Sequence, residues 1–169
     1  MKRAYATIGC VILLFLLTPL GFGSIGQTDE KDAAEKLIKA ARFLEQKPLD
    51  KDAKKIRGWA MQWLIVTDKV SVGVCSLLVH GIDEKYKYGS ELIGQYTIGM
   101  AAYKLANPDK AQDEDAAQQA GIESALTSYE AMVAEQPKAK NAFMDDLLAK
   151  RGQGALAAYV KENNCKVQK

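Results

Sequence analysis

A long helical pattern, KYGSELIGQYTIGMAAYKLA, occupies residues 87–106. Asn107 and Pro108 end it, because proline disfavours helical backbone at the residue before it. On a helical wheel the apolar side chains of this stretch cover a wide arc and leave only a narrow polar strip. A helix with so wide an apolar arc is buried by several neighbours. We therefore predict that residues 87–106 form the central helix of the domain.

The sequence on both sides of this stretch also predicts helices, because apolar residues recur there at spacings of three and four. From Trp59 onward the second pattern is apolar nearly all round, so we expect several neighbours to bury that helix as well. Residues 70–82 fit both a strand, through alternating Val70, Val72 and Val74, and a helix; the helical context favours a helix. The predicted flanking helices are 29–46, 50–67, 70–82, 115–135, about 141–151 and a last turn or two at 156–163.

Together these patterns predict an all-α, compact, single-domain bundle of about six helices over residues 27–169. A chain of 169 residues with 48% hydrophobic and 26% charged residues fits one such domain. A tetratricopeptide-like helical array is the alternative, because the stretches 101–108 and 125–137 are similar to the second helix of such a unit. Pro108 and Pro137 lie 29 residues apart, however, whereas these repeats need roughly 34.

The first 26 residues have the order of features that is typical of a secretory signal peptide. Lys2 and Arg3 precede an apolar run at residues 8–17, and small residues follow up to Gly26. We expect cleavage before Gln27, with an uncleaved anchor as the alternative. A second membrane span over residues 59–82 is not expected, because Asp68 and Lys69 in its middle would be costly in lipid. The protein is thus predicted to be exported to a periplasm or extracellular space, most simply in a bacterium.

Removal of this leader makes the mature chain electrically neutral. The full chain has 23 basic and 21 acidic residues, and the leader contains two of the basic residues and no acidic one. A protein that binds nucleic acid needs a concentrated excess of Lys and Arg on one face. We therefore expect no nucleic-acid partner.

The cysteines support the same prediction of export. Cys10 lies in the leader, so the mature chain retains Cys75 and Cys165. Two cysteines in an oxidising compartment form a disulfide by default. The alternatives are two free thiols, or an intermolecular bridge through Cys165 near the end of the chain.

Few residues of this chain could carry chemistry. A single histidine and two distant cysteines exclude a structural zinc site, and no cofactor-binding motif is present. His80 follows a run of apolar residues at the predicted end of a helix. A protonated imidazole there would interact favourably with the helix C-terminus, so a structural role competes with general acid–base catalysis.

Polar residues inside the apolar arc of the central helix are the best candidates for a site. Glu91 and Gln95 fall one turn apart in that arc, so both are predicted to face the interior, where a carboxylate needs a partner or a raised pKa. Arg57 is the first candidate partner, and the hydroxyls of Tyr88 and Tyr96 are the others. One interpretation is a structural clasp between helices. The other is a cleft for a small polar ligand or peptide, which Trp59 and Trp63 would also line.

Two functional hypotheses follow from these residues. The first is a helical binding module, whose aromatic groove recognises another envelope protein, a peptide or a small polar ligand. The second is a cell-envelope hydrolase or lyase, in which Glu91 acts as an acid and Asp145 or Asp146 supplies a second carboxylate. The oligomeric state is not predicted from the sequence.

Overall fold

The computed structural model describes residues 25–82, 85–163 and 165, and within these ranges the chain is all-α, without a strand. This confirms the predicted fold class. The predicted leader, residues 1–26, lies outside the described residues except for its last two, which begin the first helix. The helices are α1 (Ile25–Gln46), α2 (Ala53–Val66), α3 (Gly89–Ala106), α4 (Glu114–Glu135), α5 (Ala142–Gly152) and α6 (Leu156–Asn163).

The central position predicted for residues 87–106 is confirmed by α3, which packs against α4 most extensively and also against α1 and α2. Glycines allow α3 and α4 to lie unusually close. A Cβ added to Gly99 would come within 2.4 Å of the Ser124 Cβ, and one added to Gly121 within 2.7 Å of the Tyr96 carbonyl oxygen. A central helix that is surrounded by its neighbours is typical of a helical bundle. In an array of repeated helix pairs, the pairs would instead be stacked one after another.

The core consists of two apolar clusters that share α3. The larger joins α3 and α4 to α5 and α6, and the smaller joins α1 and α2 to the opposite side of α3. The side chain of Val72, in the connection between α2 and α3, packs against both clusters. The most deeply buried large side chains include Leu37, Leu44, Leu78, Leu92, Tyr96, Ile98, Met100, Leu126, Tyr129 and Met132.

The α-helix predicted over residues 70–82 is wrong. Residues 70–75 have no regular secondary structure, and only Ser76–Leu78 form a single 3₁₀ turn. The strand-like alternation of valines is the better guide to the backbone here, because β-branched residues and an interior glycine, Gly73, both disfavour an α-helix. Thr67 and Cys75, on either side of this segment, have extended backbone angles.

The burial predicted for the second half of α2 is also wrong. Only Ala53 and Ala60 of this helix are buried, whereas Ile65 and Val66 at its end are 76% and 70% exposed. Among the described helices, α2 packs on α1 and α3. Both contacts are part of the smaller apolar cluster. The other large apolar side chains of α2 are partly buried against that cluster, so it is the end of the helix that keeps apolar side chains in solvent.

The predicted disulfide between Cys75 and Cys165 is confirmed, with 5.4 Å between the two Cα atoms. It joins the start of the 3₁₀ turn to the chain just after α6 and so closes a loop that contains α3 to α6. Across the described ranges, no helix has the length and apolarity needed to cross a membrane.

Candidate binding site

A cleft of about 730 Å³ separates the connection after α2 from the beginning of α4. We refer to it as the cleft. Its volume is within the range of about 300–1,000 Å³ that is typical of ligand sites. The residues that line it are Asp68 to Cys75, Lys104, Ala111, Gln112, Glu114, Asp115, Gln118 and Cys165.

Side chains of α3 and α4 hold one edge of the segment that borders the cleft. Lys104 Nζ donates a hydrogen bond of 3.0 Å to the Ser71 carbonyl, and Gln118 Nε2 donates one of 2.8 Å to the Gly73 carbonyl. Ser71 and Gly73 are two residues apart, and alternate residues of an extended chain point the same way. Residues 70–75 contain no helix, turn or bend, so the segment 70–74 runs extended along α3 and α4.

The side chain of Tyr96, on α3, holds the end of this segment in place. Its hydroxyl donates to Gln118 Oε1 and accepts a hydrogen bond of 3.4 Å from the Cys75 N–H. Burial raises the pKa of Tyr96 to about 12, so the phenol stays protonated under ordinary conditions and remains a donor. Tyr96, one of the predicted site residues, thus supports the cleft without lining it.

Two charged groups of the cleft, Lys104 and Glu114, are engaged with each other. Lys104 is only 7% exposed, and its ammonium lies 2.5 Å from Glu114 Oε1 as well as near the Ser71 carbonyl. Gln118 is occupied by Tyr96 and Gly73 in the same way. These side chains therefore fix the position of the segment rather than converge on an empty centre, as they would in a small-molecule site.

The exposed apolar surface of the described protein is concentrated next to this segment. The large apolar side chains with high exposure are Ile65, Val66, Val74 and Leu77, at 76%, 70%, 49% and 57%. All four lie between residues 65 and 77, at the two ends of the extended segment. We refer to residues 65–77 as the docking surface.

Gln95 lies apart from the cleft, in the contact between α3, α4 and α1. It is fully buried, as predicted, and its Nε2 donates to the Ala41 carbonyl at 3.1 Å and to Ser124 Oγ at 2.7 Å. Ser124 Oγ donates in turn to Glu45 Oε1 at 2.6 Å. Gln95 Oε1 has no hydrogen-bond partner among the described residues. This chain of polar groups connects three helices and has the form of a structural clasp.

Glu91 and Arg57 face each other across α3 and α2, but more loosely than predicted. Glu91 is partly exposed rather than buried and accepts a 2.9 Å hydrogen bond from Ser90. Arg57 donates to the Pro48 carbonyl at 3.2 Å, and its Nε has no hydrogen-bond partner in the described part of the chain. Burial lowers the pKa of Arg57, and the charge of Glu91 opposes that shift. The two groups interact at a distance and do not form an ion pair within the described structure.

The remaining predicted site residues are dispersed. The Tyr88 hydroxyl donates to Gln136 Oε1 at 2.5 Å, near the end of α4. Trp59 and Trp63 are half-buried on α2, where the Lys36 ammonium lies 4.3 Å from the Trp59 ring centre. The structure therefore places Arg57 within electrostatic range of Glu91 and Tyr96 next to the cleft, but it does not gather the seven residues around one groove.

The carboxylates considered for catalysis are separate from the cleft. Asp145 accepts a 2.7 Å hydrogen bond from Tyr129, and Asp146 pairs with Lys150 at 3.1 Å. Neither they nor Glu91 line the cleft or a second cavity of about 450 Å³ beside Glu45 and Ser124.

His80 also has structural contacts. Its Nδ1 lies 2.8 Å from the Leu77 carbonyl, and its ring meets Phe143 edge-on. Among the described residues, no cluster of three His, Cys, Asp or Glu side chains could hold a metal ion.

Comparison with known proteins does not identify a relative. No protein family matches the chain, and neither the curated proteins nor the solved structures contain a match. Any functional inference therefore depends on the geometry described above.

Sequence reasoning missed the residues that build the cleft, above all Lys104 and Gln118. The apolar patterns of α3 and α4 predict which residues are buried. They give no indication that Lys104 and Gln118 bind a distant segment of the chain. The signal that could have revealed the segment itself was the valine alternation at 70–74, which indicates extended backbone in a chain that is otherwise helical.

Proposed function

We propose that this protein is an exported, non-catalytic binding module that holds a segment of another envelope protein on its docking surface. The observation that carries the proposal is the concentration of Ile65, Val66, Val74 and Leu77 in one stretch of 13 residues. The four side chains lie at the two ends of one extended segment, and exposed apolar surface of this kind is typical of sites that bind other macromolecules.

The extended segment gives this surface a defined shape. Its position is fixed by Lys104, Gln118 and Tyr96, so the apolar side chains at its two ends are held in place before a partner binds. A rigid surface loses little conformational freedom on binding, which favours affinity. A polypeptide fits this site better than a small polar molecule, because Lys104 and Glu114 already bind each other and Gln118 is engaged by Tyr96 and Gly73.

Export is part of the proposal. The leader-like sequence at residues 1–26 and the Cys75–Cys165 disulfide support it, since disulfides persist in oxidising compartments. In a bacterial host we expect the secreted form to begin at Gln27 and to contain no free thiol. Intact mass measured before and after thiol alkylation without reductant tests this; a cytosolic, alkylated full-length chain would contradict it.

The binding function can be tested by photo-crosslinking followed by direct titration. A photoreactive amino acid at Ile65 should capture an envelope protein that the same group at Glu135 does not capture. Glu135 is exposed at the far end of α4, about 30 Å from the cleft at 1.5 Å per residue. The captured protein is then purified and titrated against the unlabelled module.

The decisive variant carries Ile65→Asp and Val66→Asp. We expect it to bind the purified partner at least tenfold more weakly, because burying an unpaired carboxylate is costly. Its melting temperature should change little, since both side chains are mostly in solvent. The matched control, Ala134→Asp with Lys138→Gln, changes the net charge by the same two units at and just beyond the far end of α4 and should bind normally. Equal binding by all three proteins would contradict the proposed function.

A further inference from the structure

Among the residues that the structure describes, the segment 70–74 has no backbone partner along either edge. No backbone–backbone hydrogen bond involves these five residues within the described structure. The Ser71 and Gly73 carbonyls accept from side chains of α3 and α4, and the peptide groups of Val70, Val72 and Val74 have no hydrogen-bond partner there. In a helical protein such a stretch of extended, unpaired backbone is unusual, because helices satisfy their own peptide groups.

The directions of these peptide groups follow from the extended geometry. In an extended chain the N–H and C=O of one residue point to the same side, and those of the next residue point to the opposite side. Since Ser71 and Gly73 face α3 and α4, the groups of Val70, Val72 and Val74 face away from those helices. They present donors and acceptors in the order that an edge strand presents to a neighbouring strand.

We infer that the partner binds by strand addition: an extended segment of the other protein pairs with the Val70–Val74 edge. This inference rests on the proposed function and specifies its partner as a short β-strand. Main-chain hydrogen bonds would supply affinity, and apolar side chains at alternate positions of the partner would contact Ile65, Val66 and Leu77 at the ends of the edge. A helix presents no free peptide groups along its length and would leave the edge unpaired.

The probe for this inference is a set of 12-residue peptides, selected from a random display library on the purified protein. We expect the selected peptides to alternate apolar and polar residues and to bind in extended form. Nuclear Overhauser contacts should connect peptide backbone protons with Val72 and Val74. The amide protons of Val72 and Val74 should exchange more slowly in the complex, while those of Ser71 and Gly73 change little.

Two proline variants separate the two edges of the segment. Val74→Pro removes an N–H from the outward edge and should weaken peptide binding about tenfold, because it leaves a peptide carbonyl unpaired. Ser71→Pro also removes an N–H at an exposed position, but from the inward edge that faces α3 and α4. It should alter binding less than threefold. Val74→Ala controls for the lost side chain. Because Val74 is itself one of the four exposed apolar residues, the loss caused by the missing N–H is measured as the binding of Val74→Pro relative to Val74→Ala.

A change on the peptide keeps the test valid even if a proline variant folds poorly. N-methylation of alternate peptide residues should abolish binding in one frame, where the N–H groups face Val70–Val74, and leave it intact in the other frame. Equal tolerance of both frames would overturn strand addition. So would peptides that bind as helices, or dimerisation of the protein alone that Val74→Pro abolishes, because a second copy would then occupy the edge.

The two proposals fail in different ways. If peptides bind, lose affinity with Ile65→Asp and Val66→Asp, and tolerate Val74→Pro, strand addition is wrong and the proposed function stands. If neither a captured partner nor a selected peptide depends on residues 65–77, the proposed function itself is wrong.

Discussion

The α3–α4 pair and the stretch from α2 to the 3₁₀ turn are both rich in apolar residues, yet the first is buried and much of the second is exposed. In α3 nearly every residue from Leu92 to Ala101 is buried, whereas Ile65 and Val66 at the end of α2 are mostly in solvent. Hydrophobicity therefore does not distinguish the two regions. The glycines do: Gly99 and Gly121 lie at contacts too close for a side chain, while Gly58 and Gly73 have nothing within 4 Å of an added Cβ.

This difference teaches that close contact, rather than apolar composition, defines the core of this protein. Where small residues allow two helices to approach, the apolar side chains around them are covered on all sides. Where no such approach occurs, equally apolar side chains remain available to a partner. The experiments below perturb one region or the other.

The largest effect on stability should come from the disulfide that ties the exposed stretch to the end of α6. Replacing both cysteines, as Cys75→Ala with Cys165→Ala, should lower the free energy of unfolding by about 4 kcal/mol, because a loop closed over 90 residues no longer restricts the unfolded chain. Urea unfolding without reductant measures this. A loss below about 1 kcal/mol would show that the unfolded chain is restricted in some other way.

The next effect should come from the close contact within the core. Gly121→Ala should lower the free energy of unfolding by about 2–3 kcal/mol, because the new methyl group would overlap the Tyr96 carbonyl oxygen and helix α4 would have to shift. Urea unfolding at neutral pH is again the measurement. An unchanged midpoint would mean that α3 and α4 can separate at no cost.

Alkaline pH should also act on the buried region. Burial raises the pKa of Tyr86, Tyr96 and Tyr129 to about 12, from an ordinary 10. The unfolded chain then releases these protons first, so stability is fully present below pH 10 and declines as the pH rises from 10 to 12. Unfolding by urea at pH 8 and pH 11 measures the decline. It should be smaller in Tyr96→Phe, and an identical decline in both proteins would contradict the assignment.

The smallest effect should be a gain in stability from a substitution in the exposed region. Gly58→Ala should raise the free energy of unfolding by about 0.5–1 kcal/mol, because alanine favours helix over glycine and nothing lies within 4 Å of the added methyl. It is the matched counterpart of Gly121→Ala. A loss of stability here would show that the added methyl group at Gly58 meets a neighbour.

Much of the fold could be predicted from the sequence, because the deciding signals are local. The apolar arc and the terminating proline of residues 87–106 predicted α3, and the two cysteines left after export predicted the disulfide. The connection at 70–75 could not be assigned correctly, because its backbone is held by Lys104 and Gln118, more than thirty residues away in the sequence.

The candidate site was less predictable for the same reason. A helical wheel shows which residues share a face, but not which neighbouring helix covers that face. Gln95 proved to be buried, as its place on the wheel suggested, while Glu91 near the start of α3 reaches solvent. The exposed end of α2 was misjudged because its apolar pattern carries no sign that a neighbour is missing.

The side chain of Val72 packs against both apolar clusters of the core, and this has a kinetic consequence. A connection held in this way is ordered when the protein folds. The entropic cost of ordering its backbone, about 1–2 kcal/mol for each residue, is therefore part of folding and not of ligand binding. Association should then proceed in a single concentration-dependent phase, without a slow rearrangement step. Loosening this packing with Val72→Ala should chiefly slow the arrival of a ligand, rather than hasten its departure.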